Sequence, residues 1–186
     1  MVGLDTPPGR IDTSAASFRA IEIETGPGMY RSTKTYGYQE GLSCCFRQWR
    51  AVHSHCQLLH GYALGFKFVF ASHGLDDRQW CFDFGGLKPV RAWLHEMFDH
   101  TVVVAEDDPQ LAEFERLAGL GLLNLRVMPA VGCEAMARYV YEHVGRFVTE
   151  QSLARVWLES VEVNEHSGNS ALYSGNSQPL IPLLSE

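Results

Sequence analysis

One segment restricts the fold of this chain more than any other. From Tyr62 to Phe70, the residues Tyr62, Leu64, Phe66, Phe68 and Phe70 alternate with Ala63, Gly65, Lys67 and Val69. Successive side chains on a strand point to opposite faces. Five large apolar groups therefore share one face, and they need a packed layer above them. The intervening positions are largely apolar too, which predicts a central strand covered on both sides. Leu42 to Arg50 (LSCCFRQWR) and, after a polar turn at Gly74 to Arg78, Trp80 to Phe84 (WCFDF) read as further strands.

Helical spacing begins after Gly85-Gly86. Leu87, Val90, Leu94 and Met97 recur at three and four residues, with Pro89 tolerated in the first turn. Asp108-Pro109 predicts a second helix start, an N-cap followed by proline, with Leu111, Phe114 and Leu117 as its stripe and Gly119 and Gly121 at its end. Leu123 to Met128 reads as a strand. Cys133 to Val148 reads as a helix with Met136, Val140, Val144 and Phe147 on one face. A last strand, Val156 to Glu165, is expected to carry Trp157, Val161, Val163 and Glu165 on a common face. The order of elements predicts an α+β fold with an antiparallel sheet and helices on one side.

Composition narrows the function. A formal charge of −7 lacks the basic face of a general nucleic-acid binder. No apolar run reaches membrane-spanning length, and the N-terminus shows no secretory pattern. The five cysteines form no Cys-x-x-Cys pair, so thiols in a reducing cytoplasm are expected. Residues 1–28, with Pro7-Pro8 and Gly26-Pro27-Gly28, read as a peripheral extension, and residues 29–186 as a single domain ending in a loop, GNSQPLIPLLSE.

The residues able to carry chemistry fall into short segments. Cys56 lies between His55 and His60, and a nearby imidazolium favours a thiolate. Asp99 follows a predicted helix C-terminus, where the macrodipole disfavours a carboxylate. It needs a partner, and His100 can be oriented by it in the manner of a triad. Glu165 ends an apolar alternation, and a charge placed on that face must be paired or used.

These segments resemble a known family. Cys56-Gln57-Leu58-Leu59-His60-Gly61-Tyr62 is similar to the Cys-x-x-x-His-Gly-His segment of the 6-pyruvoyl- and 6-carboxy-tetrahydropterin synthases. Asp83 to Lys88 resembles their Asp-Phe-x-x-Leu-Lys, Asp99-His100 their Asp-His pair, and Glu134 the acid of their Pro-Thr-x-Glu. Val163-Asn164-Glu165 with Tyr173 resembles their late strand. The resemblance implies the tunnelling fold, a four-stranded antiparallel sheet with helices on one side. It also implies assembly into an oligomeric barrel, commonly a hexamer of paired trimers, with sites at subunit interfaces. It implies a lyase acting on 7,8-dihydroneopterin triphosphate, in the bacterial branch feeding 7-deazapurine and queuosine synthesis. Cys56, Asp99 and His100 would be catalytic. Glu165, Glu134 and Arg50 would bind substrate, with Glu165 accepting the ring N–H and amino group of a pterin. A same-fold pterin- or purine-binding protein without lyase activity is the alternative.

The resemblance breaks at the metal. The family holds zinc with three histidines, but only His60 stands in place here. Tyr62 and Arg50 occupy the other positions, and neither is an ordinary zinc ligand. Either His53 or His55 joins His60 to rebuild a site, or Arg50 supplies a fixed positive charge instead.

Overall fold

The computed structural model describes residues 28–175. Apart from Gly28 and Gly175, the expected N-terminal extension and C-terminal loop lie outside these residues. In chain order the elements are β1 (Tyr30–Tyr36), β2 (Leu42–Phe46), β3 (His60–Ser72), α1 (Lys88–Phe98), β4 (Thr101–Ala105), α2 (Leu111–Gly119), β5 (Leu125–Met128), α3 (Cys133–Gln151), β6 (Val156–His166) and β7 (Asn169–Ser174).

The central strand is β3, and its face bearing Leu64, Phe66, Phe68 and Phe70 is fully buried. The expected helical stripes cover this face. Leu87, Val90, Leu94 and Met97 at and within α1, and Met136, Val140, Val144 and Phe147 of α3, all join the same core. The other face of β3 departs from expectation. Lys67 lies there, exposed and near Glu162 of the neighbouring strand, and Val69 is only half-buried. The middle of that face, at Lys67 and Val69, is therefore open in this chain, while Gly65 and Ala71 on it are buried.

The expected four-stranded antiparallel sheet is corrected to a seven-stranded mixed sheet ordered β5-β4-β2-β3-β6-β7, with β1 also paired to β3. An antiparallel part contains β1, β3, β6 and β7. β2 joins β3 antiparallel, and then β4 and β5 add in parallel. Three strands were not anticipated. β1 (YRSTKTY) and β7 (NSALYS) are polar and largely exposed edge strands. β4 (TVVVA) is short and follows α1 directly.

Other boundaries moved for local reasons. β2 stops at Phe46 because Arg47 turns away to pair with Asp108, through two bonds of 2.8 Å. Trp80 to Phe84 forms no strand. Phe82 instead stacks on Phe70 from a loop, with ring centroids 5.0 Å apart, and Asp83 caps a 3-10 turn by accepting from the Gly85 N–H at 2.8 Å. Asp108 caps the turn before α2 by accepting from the Gln110 N–H, so the helix proper begins at Leu111. On β6, Ser160 pairs with Val69 but Leu158 pairs with Phe70, leaving Glu159 as an extra residue. A bulge of this kind reverses the facing of what precedes it. Leu158, not Trp157, therefore shares the core face with Val161 and Val163. Trp157 pairs with Ala71 and packs beside His73 at 5.2 Å.

Candidate functional site

The fold brings the start of β3, the start of α3 and the end of β6 to one place. His60 pairs with Phe46 across β2, and their rings lie 5.2 Å apart. The His60 Nδ1 lies 2.7 Å from the Leu58 carbonyl. A carbonyl can only accept, so Nδ1 carries the hydrogen of this bond. Gly61 is required by packing: a Cβ there would stand 2.7 Å from the Cys45 Sγ. Cys56 sits half-buried in a 3-10 turn (His55–Gln57), where the Ser54 Oγ accepts from its main-chain N–H at 3.2 Å. Its carbonyl accepts from the Gln48 N–H at 2.8 Å, tying the turn to the end of β2.

Glu165 lies where β6 changes register against β7, between Asn164 and His166. It lies near Cys133, the first residue of α3. Burial, with the Glu165 charge behind it, pushes the Cys133 thiol up to about 12. Cys133 therefore stays protonated and can donate to the carboxylate. Tyr62 faces the same cluster. Its ring is 5.5 Å from His60 and 6.0 Å from His166. Burial raises its pKa, followed by the nearby Glu165, Cys56 and Cys133. The phenol remains a hydrogen-bond donor. Glu134 stands next to Cys133 but is exposed.

Asp99 and His100 form a second group. Asp99 caps the C-terminus of α1 in extended conformation, and His100 follows at φ +53°. One Asp99 oxygen takes the His100 Nδ1 at 2.6 Å, and the other takes the His95 Nδ1 at 3.2 Å. The His95 bond leads the effects that hold the Asp99 carboxyl below the usual range, with His100 adding to it against partial burial. Behind His95 stands Glu40 at 3.5 Å, itself paired with Arg91 at 2.8 Å. The His100 side chain is 86% exposed, so its Nε2 is offered outward. His95 could have been found from its i, i+4 spacing to Asp99. Glu40 comes from a distant loop and left no sequence signal.

The two groups do not meet within one chain. β2 and β4 run parallel, with Cys44 opposite Thr101 and Phe46 opposite Val103. His100 thus flanks the beginning of β2, whereas Cys56 is bound by Gln48 beyond its end. The strand from the level of Ser43 to Phe46, on the order of 10 Å, and then the turn through Arg47 and Gln48 lie between them.

The donor set for zinc does not assemble. Among the described residues no group of three His, Cys, Asp or Glu side chains could hold a metal ion. His53 and His55 are exposed. Arg50 is taken up elsewhere: its guanidinium pairs with Asp107 at 2.6 Å and lies over the Trp49 ring at 4.2 Å. The residues present do not fit the family's zinc.

Comparison with known proteins agrees with this architecture. The family profile described as 6-pyruvoyl tetrahydropterin synthase matches residues 37–176. A 6-carboxy-5,6,7,8-tetrahydropterin synthase from Aquifex aeolicus is 23% identical over 138 residues, covering 73% of this chain and 82% of its own. Among solved structures, an uncharacterized protein from Wolinella succinogenes superposes with a TM-score of 0.65 at 21% identity, over 78% of this chain and 98% of its own. The 6-pyruvoyl tetrahydropterin synthase of Plasmodium vivax does so with a TM-score of 0.57 at 14% identity, over 78% and 97%. At these identities the structures speak for the fold alone. Among the described residues no helix is long and apolar enough to cross a membrane. With the profile spanning β2 to β7 and every segment that carries the site, the chain belongs to the 6-pyruvoyl tetrahydropterin synthase family.

Proposed function

We propose that this protein is a pterin-converting lyase resembling 6-carboxy-tetrahydropterin synthase, acting on 7,8-dihydroneopterin triphosphate in the synthesis of 7-deazapurines. The observation that carries the reading is the cluster of Glu165, Cys133, Tyr62 and Cys56 at the head of β3. It joins an acceptor suited to a pterin's N–H and amino group to a thiol beside the place where the substrate's side chain would lie. Cys56 moves the proton on that side chain. The exposed His100, oriented by Asp99, is the partner acid or base. Because Cys56 and His100 stand apart in one chain, the working site combines Cys56 of one subunit with Asp99-His100 of another.

Assembly of that kind is supported by the sheet edges. Among the described residues β1 pairs only with β3, and β7 only with β6. Such open edges invite pairing with another copy. We read the protein as a cytoplasmic homo-oligomer, a hexamer of paired trimers.

The test is incubation of the purified protein with dihydroneopterin triphosphate, with and without added zinc, following 6-carboxy-tetrahydropterin and acetaldehyde. Product formation supports the lyase. Pterin binding with no turnover under either condition would overturn it in favour of a binding protein of the same fold. That second reading is favoured by the unassembled zinc donor set.

A further inference from the structure

Behind the Asp99-His100 pair stands a row of charged and polar groups that no sequence motif accounts for. Arg91, His95 and Asp99 recur at four-residue spacing, so they share one face of α1 and its C-terminal cap. Glu40 meets them from the 3-10 turn Tyr38–Glu40, which closes on Gly41 at φ +73°. The Glu40 Oε2 accepts from the Arg91 Nε at 2.8 Å and lies 3.5 Å from the His95 Nε2, long for a hydrogen bond. The other His95 nitrogen, Nδ1, lies 3.2 Å from the Asp99 Oδ2. An ionised carboxylate only accepts, so Nδ1 carries the hydrogen of this bond.

Asp99 is tied to His95 a second time. Its main-chain N–H donates to the His95 carbonyl at 3.0 Å. Backbone and side chain together set the carboxylate, with Oδ2 on His95 and Oδ1 on the His100 Nδ1 at 2.6 Å. A carboxylate at a helix C-terminus faces the negative end of the macrodipole, and this side chain is 28% exposed. Without the His95 donor, Oδ2 loses its partner and the group is free to turn toward water. His100 depends on Asp99 in turn. Its ring is 86% exposed, and among the described residues Asp99 is its hydrogen-bond partner. Orientation therefore passes in series from Glu40 to His95, to Asp99 and to His100.

We propose that His95 is a positioning residue for His100: by occupying Oδ2 of Asp99, with Glu40 behind it, it reserves Oδ1 for the His100 Nδ1–H and keeps the His100 Nε2 turned outward. What holds His100 rests on this geometry alone. That the held ring serves as acid or base rests on the lyase reading given above. His95 touches no substrate in this scheme, so its loss lowers kcat and leaves KM in place.

The test compares wild type, His95→Leu and His95→Asn in the full chain. Asparagine offers an amide N–H close to where the His95 Nδ1–H stood, and leucine offers none. His95 is 30% exposed, so neither substitution opens the core. In turnover of dihydroneopterin triphosphate, His95→Leu should lower kcat by about ten- to a hundredfold, the effect of a displaced catalytic group, with KM within about twofold. His95→Asn should restore kcat to within about fivefold of wild type, because it keeps the hydrogen bond. Nitrogen NMR of isotope-labelled histidine at alkaline pH, assigned against His100→Asn, reports which His100 nitrogen carries the hydrogen. Wild type and His95→Asn should hold it on Nδ1, and His95→Leu should share it between the two nitrogens. Equal loss of kcat in both variants would make His95 a packing residue and overturn the proposal. So would a rise in KM at unchanged kcat, or His100 still holding its hydrogen on Nδ1 in His95→Leu. A wild type without turnover would overturn the lyase reading alone, and the NMR comparison would then decide whether His95 holds His100.

Discussion

Removing Asp108 from its pair with Arg47 should cost the fold about 3 kcal/mol. The Asp108 side chain is fully buried, and Arg47 keeps 22% exposure. The carboxylate accepts twice from the guanidinium and once from the Gln110 N–H, each at 2.8 Å. Removing one partner of a buried pair costs about 3–5 kcal/mol, because the survivor is left unpaired. In Asp108→Ala that survivor is Arg47, whose access to water sets the cost near the lower end. Urea unfolding at pH 7 and fixed protein concentration measures it. Fixing the concentration matters because the apparent stability of a self-associating protein depends on it. The pH dependence has a definite sign. Burial would raise the Asp108 pKa, but Arg47 and the Gln110 N–H together hold it below the usual value. The pair's stabilisation is therefore present above the unfolded carboxyl pKa of about 3.9. It is lost as pH falls through the lower folded value. The gap between wild type and Asp108→Ala should close below about pH 4. Replacing both partners, Arg47→Met with Asp108→Leu, should recover most of the loss. A loss under about 1 kcal/mol for Asp108→Ala, the range of solvent-screened pairs, would refute this account.

Other outcomes follow from the site. Glu165→Gln exchanges an acceptor for a donor and should weaken pterin binding by about 2 kcal/mol, roughly thirtyfold, with the fold intact; unchanged affinity would remove Glu165 from the ring edge. Cys56→Ala should abolish turnover and leave pterin binding nearly unchanged, since a proton-transfer group acts in the transition state. Full activity in that variant would make Cys56 structural. Light scattering should report a hexamer, and a stable monomer at micromolar concentration would contradict the role assigned to the β1 and β7 edges.

The legible parts of the fold were those with strong periodicity. The β3 alternation and the α1 and α3 stripes are hydrophobic patterns, and burial follows pattern directly. β1 and β7 escaped because their polar sequences are stabilised by pairing along an edge, a non-local effect invisible in a window of residues. The bulge at Glu159 is likewise written in the partner strand, since it arises where β6 must follow β3. The candidate site divides the same way. Cys56, His60, Glu165 and Asp99-His100 were legible as motifs. Cys133 was not, because its meaning depends on the start of α3 arriving beside the end of β6. Glu40 approaches His95 only through the packing of a loop on α1.

The separation of Cys56 from His100 gives the last prediction its form. Cys56 is tied by Gln48 to the region beyond the end of β2, while Asp99 and His100 precede β4 near the start of β2. A hydrogen bond between reacting groups spans about 3 Å, far less than the length of strand between them. His100 also gives its Nδ1 to Asp99 and leaves its other nitrogen outward on a side chain that is 86% exposed. An oriented, exposed imidazole separated along the strand from Cys56 of its own chain is suited to completing a site on a neighbouring copy. Genetic complementation tests this directly. Cys56→Ala and His100→Ala should each be inactive as pure oligomers. Co-expressed in equal amounts, they form interfaces at random, and about one quarter join an intact Cys56 from one variant to an intact His100 from the other. The mixture should therefore recover about a quarter of wild-type activity. Oligomers shown to contain both variants and to bind pterin, yet remaining inactive, would refute the shared site. Activity in pure His100→Ala would instead remove His100 from the reaction.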